Sequence, residues 1–327
     1  MSEKTKIQWC DHTFNPWIGC TKVSPGCANC YAEVSTPSRV HGIEWGLGKT
    51  RQRTSPANWK EPLRWNKAAA GKATRPRVFC ASLSDWLDDE VPIEWLADLL
   101  RLIYATPNLD WLLLTKRPQN WENRLRAVQF QTENADGNWI DCWLTGEPLA
   151  NIWIGTTVED QLRADQRLPE LIQIPAVVRF VSAEPLIGSV DFTHVNFPTG
   201  VCENLLKTDA GPVARRILGD EFKINGIDWI IVGGESGPSA RRCHVGWIQS
   251  ILWQCNRHAV ACFVKQLGAN AMITPQGYDP VSGALPRPMP MFGLKDRKGG
   301  DPAEWPEDLR VREFPKMNVL LCPHNPN

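Results

Sequence analysis

The chain has 327 residues, 43% hydrophobic and 22% charged, with a formal net charge of zero. That balance excludes disordered and fibrous classes, and the length calls for one large α/β barrel or two ordinary domains. Zero net charge removes any overall electrostatic pull toward nucleic acid, so such a partner would need a local patch.

The N-terminal segment lacks an apolar h-region and no run of eighteen apolar residues occurs, so a cytoplasmic protein without membrane association is expected. Its eleven cysteines are then expected as reduced thiols, either ligands or small buried groups. Of the sixteen Trp, several (Trp86, Trp95, Trp111, Trp153, Trp229, Trp247 and Trp253) fall in apolar periodic segments, and most of these are expected in the core.

In chain order, the first distinctive element is Cys20-Thr-Lys-Val-Ser-Pro-Gly-Cys27-Ala-Asn-Cys30, three thiols in eleven residues on a loop shaped by Pro25 and Gly26. Residues 49–77 follow, with nine Lys and Arg against the single acid Glu61. With Trp59 and Trp65 among those charges, the stretch reads either as a track for a phosphate backbone with base stacking or as a solvated connection. Six apolar runs then read as buried strands at 78–82, 111–115, 152–156, 178–182, 229–233 and 262–266.

Helical stripes lie between them: Ile93, Leu96, Leu100 and Ile103; Trp121, Leu125 and Val128; Val245, Ile248, Leu252 and Cys255. The alternation predicts a parallel α/β architecture, wound by right-handed crossovers into a full or partial barrel or a doubly wound sheet. Stretches 131–150 and 192–226 read as insertions, and 271–327 as a Pro/Gly-rich tail packing in extended form.

Every predicted strand ends in polar residues: Ser82, Ser84 and Asp85; Thr115, Lys116 and Arg117; Thr156, Thr157 and Glu159; Ser182 and Glu184; Gly233, Gly234 and Glu235; Lys265 and Gln266. The carboxyl edge of a parallel sheet is where ligands bind, so these residues are expected to face one site.

A CxxC turn brings two sulfurs to one metal, and the six-residue loop before it returns a third. Two metal centres satisfy that spacing. A closed zinc site would recruit Cys10 or His12 as fourth ligand, whereas an iron-sulfur cluster on three cysteines leaves one iron open for a substrate or cofactor. A third option is a metal-independent barrel enzyme that binds phosphate at the Gly233 loop, with the cysteines incidental.

The cysteine triad followed by βα units resembles the radical S-adenosylmethionine superfamily, with six residues between the first two cysteines where three are usual. Cys80-Ala-Ser-Leu-Ser-Asp85 and Leu113-Leu-Thr-Lys116 are similar to segments of its spore photoproduct lyase branch. The blocks Phe14-Asn-Pro-Trp-Ile-Gly-Cys20, Leu114-Thr-Lys-Arg-Pro118, Val181-Ser-Ala-Glu-Pro185, Val232-Gly-Gly-Glu-Ser-Gly237 and Lys298-Gly-Gly-Asp-Pro-Ala-Glu-Trp305 resemble an uncharacterised phage- and prophage-associated family of radical-SAM-like proteins.

The resemblance implies a partial (β/α)6-type barrel over 1–270 with its cluster loop at 10–31, and a C-terminal extension at 271–327. It also implies a 4Fe-4S cluster on Cys20, Cys27 and Cys30, S-adenosyl-L-methionine as cofactor, and an electron donor such as a flavodoxin or ferredoxin. The expected substrate is a nucleoside, nucleotide or nucleic-acid base.

On that reading Ser82, Ser84 and Asp85 sit near the cofactor's amino group. Thr156, Thr157 and Glu159 sit near its ribose or carboxylate, and Val232, Gly233 and Gly234 beside adenine or sulfonium. Lys116, Arg117 and Glu184 are expected on the substrate side, unless Lys116 and Glu184 pair with each other. Glu235 would belong to a phosphate-cradling turn, and His12 and His244 are candidate proton carriers.

Overall fold

The computed structural model describes residues 5, 7–131, 139–206, 226–273, 289–291 and 294–316. Seven strands share one sheet: β1 (His12–Thr13), β4 (Arg77–Cys80), β5 (Asp110–Thr115), β6 (Ile152–Thr157), β7 (Val178–Ala183), β10 (Trp229–Gly233) and β12 (Ala261–Gln266), in that order across the sheet. Neighbours in the sheet are thus neighbours in chain order, the arrangement of a (β/α) barrel wall. A doubly wound sheet would reverse direction at a switch point.

The α/β partial-barrel class expected from the sequence is the one observed, and the six predicted runs lie at six of these strands. The seventh, β1, is two residues long and pairs parallel with β4 through His12 and Val78. The two remaining short strands of the N-terminal region, β2 (Trp17–Ile18) and β3 (Gln52–Arg53), form an antiparallel ribbon of their own.

The chain divides into two compact units: Met1–Thr156 with Pro169–Phe180 and Lys316–Asn327, and Thr157–Leu168 with Val181–Pro315. In the first unit β1, β4, β5 and β6 run parallel, with Cys80 beside Leu113 and Thr115 beside Thr156. Continuous apolar sequence makes these central strands buried on both faces. Gly155 is dictated by packing, because a Cβ there would lie 2.4 Å from the Phe180 ring.

The stripe read at 93–103 is helix α3 (Ile93–Tyr104), burying Leu96, Leu99, Leu100 and Ile103. The expected insertion at 131–150 contributes α5 (Trp139–Leu144) to the core, while 132–138 lie outside the described residues. Trp139 stacks on Tyr104, and Trp143 stacks on Trp86 and donates its indole N–H to Pro175 O at 2.7 Å.

The basic stretch is mostly ordered secondary structure. Ser55 caps α2 (Pro56–Ala69) by accepting the Asn58 amide, and Pro56 at the first position has its φ preset for a helix.

In the second unit β10 and β12 pair in parallel under α7 (Val245–Arg257), the third predicted helix. The tail returns along β12: Phe263 bridges Arg312 in antiparallel sense and Val264 N donates to Val311 O. That contact covers a sheet edge that would otherwise be open. Residues 207–225, 274–288 and 317–327, which include much of one predicted insertion and of the tail, lie outside the described residues.

Candidate metal and cofactor site

The cysteine loop leaves the sheet directly after its first strand. Asn15, 2% exposed, turns the chain there, its Oδ1 accepting the Ser82 and Leu83 amides at 2.8 Å each. Gly19 follows at φ 110°, a conformation that favours glycine, and its amide donates to Leu83 O. The loop is thereby hung on the carboxyl end of β4.

Arginine and aspartate residues hold the base of this loop. Arg117, buried at the end of β5, donates through Nη1 to Asp85 at 2.9 Å and to Cys20 Sγ at 3.5 Å, and through Nη2 to Thr21 O at 2.9 Å. Arg51 donates through Nε to Asp88 at 2.8 Å and through Nη2 to Thr21 Oγ1 at 2.7 Å, and also pairs with Glu90. Thr21, next to the first ligand candidate, is gripped from both sides.

Asp85 holds this arrangement to the sheet. Its carboxylate accepts Thr115 Oγ1 at 2.7 Å, the Lys116 amide at 2.9 Å, the Leu87 amide at 3.0 Å and the Arg117 guanidinium. With those donors in place Asp85 acts as a bracket between β4, β5 and the loop, and Arg117 spends its own donors on protein groups.

The three thiols are free and half-buried, and their surroundings differ. Burial pushes the Cys20 thiol up to about 12, with Asp85 adding to the rise and Arg117 opposing it. Burial raises Cys27 too, but the Lys116 cation, the Val23 backbone and Ser24 outweigh it and hold that thiol below its ordinary value. Cys30 packs against Ile18, Ala32 and Leu83. Lys22, paired with Glu33 at 2.7 Å, also lies within electrostatic reach of Cys27 and Cys30.

Among the described residues no group of three or more His, Cys, Asp or Glu side chains is gathered closely enough to hold a metal ion. Ligation by all three thiols would therefore draw the loop together. The donor chemistry fits such a centre: three free thiols on one short loop, with Lys22, Lys116 and Arg117 nearby to favour anionic sulfur. One polar group here also lacks a partner, since Ser84 Oγ is buried and makes no hydrogen bond among the described residues.

The fourth ligands open to zinc, Cys10 and His12, each rest against other protein groups, and burial raises the Cys10 thiol as it does that of Cys20. Burial pushes Cys10 up to about 12, its Sγ rests 3.9 Å from Ile7 O, and the His12 ring stacks on Trp65 at 4.3 Å.

Of the other predicted site residues, Ser82, Ser84, Asp85, Lys116, Arg117 and Thr156 belong to the first unit. Thr156 Oγ1 donates to Thr115 O at 2.9 Å. Thr157, Glu159, Glu184, Val232, Gly233, Gly234 and Glu235 belong to the second unit. There the buried Glu159 pairs with Arg167 at 2.8 Å, Glu184 with Lys265 at 3.1 Å, and Glu235 with Arg241 at 2.6 Å.

Gly233 and Gly234 already have a packing role. A Cβ at Gly233 would lie 2.7 Å from Glu184, and one at Gly234 would lie 2.3 Å from Leu267 O. His244 lies against Trp247 at 4.6 Å.

In the basic stretch Lys49, Arg51, Arg53, Arg64, Arg75 and Arg77 pair with Glu44, Asp88, Asp98, Glu61, Asp110 and Asp11. Both aromatics also have intramolecular partners, Trp59 on Phe14 and Arg53, Trp65 on His12. Sequence reasoning did not single out Arg51, Thr21, Asp88 or Asn15. The acidic run Asp88-Asp89-Glu90, set against a basic stretch with one acid, was the available clue to the first of these.

The chain belongs to the family described as a protein of unknown function, DUF5131, whose sequence profile matches residues 4–298. No curated protein and no solved structure matches the chain.

Proposed function

We propose that this member of the DUF5131 family is a radical S-adenosylmethionine enzyme whose 4Fe-4S cluster is held by Cys20, Cys27 and Cys30. The observation that carries the reading is the set of three free thiols on one loop, hung from the carboxyl end of β4 and surrounded by Lys22, Lys116 and Arg117. When bound, such a cluster supplies the electron that cleaves the C–S bond of S-adenosyl-L-methionine to give a 5'-deoxyadenosyl radical.

The chain's own residues supply position and charge. Arg117 donates to Cys20 Sγ and Thr21 O, so it fixes the first ligand. Lys116 favours the thiolate of Cys27. Ser84 offers a buried hydroxyl without a partner to the polar end of the cofactor. Val23, Tyr31, Val34 and Leu47 are exposed around the loop, a surface that a flavodoxin or ferredoxin delivering the electron would cover. The substrate class, a nucleoside, nucleotide or nucleic-acid base, follows the lyase resemblance. No helix among the described residues is long and apolar enough to cross a membrane.

Anaerobic purification followed by iron, sulfide and zinc analysis tests the reading. About four iron and four sulfide per chain are expected. One tightly held zinc without iron would replace the proposal with a zinc-stabilised nucleic-acid-binding protein. A fully loaded cluster that releases no 5'-deoxyadenosine with dithionite and S-adenosyl-L-methionine would reject the radical step alone.

A further inference from the structure

A cavity of about 970 Å³ adjoins the cysteine loop, bounded by α1 (Thr36–Val40), β3 and the face of α2 that carries Ala57, Asn58, Glu61, Arg64 and Trp65. Its volume is that of a small-molecule pocket. Ile18 and Leu83 form part of its wall, and the same two side chains pack against Cys30. Asn15, also in that wall, fixes it by accepting the Ser82 and Leu83 amides.

The charges around the cavity are already matched. Arg53 pairs with Asp98 at 2.7 Å and lies 4.1 Å over the Trp59 ring, and Arg64 pairs with Glu61 at 2.6 Å. An anion entering this space would have to break an existing ion pair. Thr54, Ser55 and Asn58 in its wall are hydrogen-bonded to one another and to Asn15, whereas the Thr36 hydroxyl, the His41 imidazole and the Gln52 carboxamide have no side-chain hydrogen-bond partner among the described residues. Gln52 presents a donor and an acceptor side by side.

Beside these groups Val40 is 73% exposed, an aliphatic surface left to water at the mouth of the cavity. Apolar faces with a few donor and acceptor groups and no unmatched charge suit a flat, uncharged ring that carries hydrogen-bonding edges. A phosphate suits them poorly, and so does an alkyl chain, which would bury the Gln52 amide without a partner.

We propose that this cavity binds a planar uncharged heteroaromatic group, a nucleobase or its nucleoside. As a binding site it stands independently; as the substrate pocket of a radical enzyme it rests on the function proposed above.

Calorimetric titration of the full chain with the five common nucleosides, a short single-stranded oligonucleotide and inorganic phosphate tests it. At least one nucleoside binds with a Kd below about 1 mM. Gln52→Ala weakens that binding about tenfold, the worth of one or two hydrogen bonds. Val40→Trp, substituted at an exposed position, blocks it by filling the mouth. Oligonucleotide binding with the same sensitivity to both variants also supports the site and makes a base within a strand the source.

Absence of nucleoside binding at millimolar concentration overturns the proposal. So does binding that both variants leave unchanged, or binding that phosphate displaces. Circular dichroism checks that each variant is folded, and iron content decides the radical reading separately, so either idea fails without the other.

Discussion

In the first unit the loop after β1 carries three free thiols, and the ends of β4 and β5 set against it a buried hydroxyl without a partner and a cation beside Cys27. In the second unit the ends of β7, β10 and β12 carry equally polar residues, yet Glu184, Glu235 and Gln266 all bond to neighbours in the same unit. Polarity at a strand end is common to both, so polarity alone does not mark a site. What separates these strand ends is bonding capacity left at the Ser84 hydroxyl and the free thiols of the loop beside it.

The largest expected effect is on metal. Cys27→Ala abolishes iron loading of anaerobically purified protein, whereas Cys10→Ala leaves it intact. Loss of iron in Cys10→Ala would transfer the centre to a four-ligand set. Next comes the bracket: Asp85→Ala leaves the buried Arg117 guanidinium only the Asp88 and Asp89 carboxylates, at 3.9 and 3.8 Å. It also takes the acceptor from the Thr115 hydroxyl and the Lys116 and Leu87 amides, so urea unfolding should show a loss of about 3–5 kcal/mol.

The corresponding change in the second unit, Glu235→Ala, frees an Arg241 that is 30% exposed and able to recruit water. The cost there is about 1–2 kcal/mol. Equal losses in the two variants would erase the distinction drawn between the units. A smaller contrast lies within the loop itself. In metal-free protein near pH 8, peptide mass spectrometry should find Cys27 alkylated before Cys20, since Lys116 holds one thiol down and burial pushes the other to about 12.

The features legible in the sequence were local ones. Six strands were visible because each is a continuous apolar run, and the thiols because their spacing is short. β1 escaped because two residues, His12 and Thr13, show no periodicity. The bracket escaped for a different reason: Arg51 and Asp88 are 37 residues apart and Arg117 and Cys20 are 97 apart, so nothing in spacing couples them. The same blindness made residues 49–77 look like a free basic patch, although most of its arginines meet acids brought near only by folding, at Asp11, Asp98 and Asp110. Unspent capacity is likewise a property of the folded chain.

The bracket and the sheet's opposite end differ in one further way, visible in pH. Asp110 opens β5 at the end away from Arg117, and its nearest cation, Arg75, stands 3.5 Å away. Burial therefore dominates and pushes its carboxyl up from 3.8 to about 6, with Arg75 opposing only in part. The folded chain keeps this proton at a pH where the unfolded chain has lost it. The favourable contribution is complete below about pH 4 and is lost as pH rises through about 6. Asp110→Asn removes that dependence. Its stability relative to wild type should rise by about 3 kcal/mol between pH 4 and 7 and then stay level. A difference that stays flat across that range would mean that Arg75 offsets the burial of Asp110 in full.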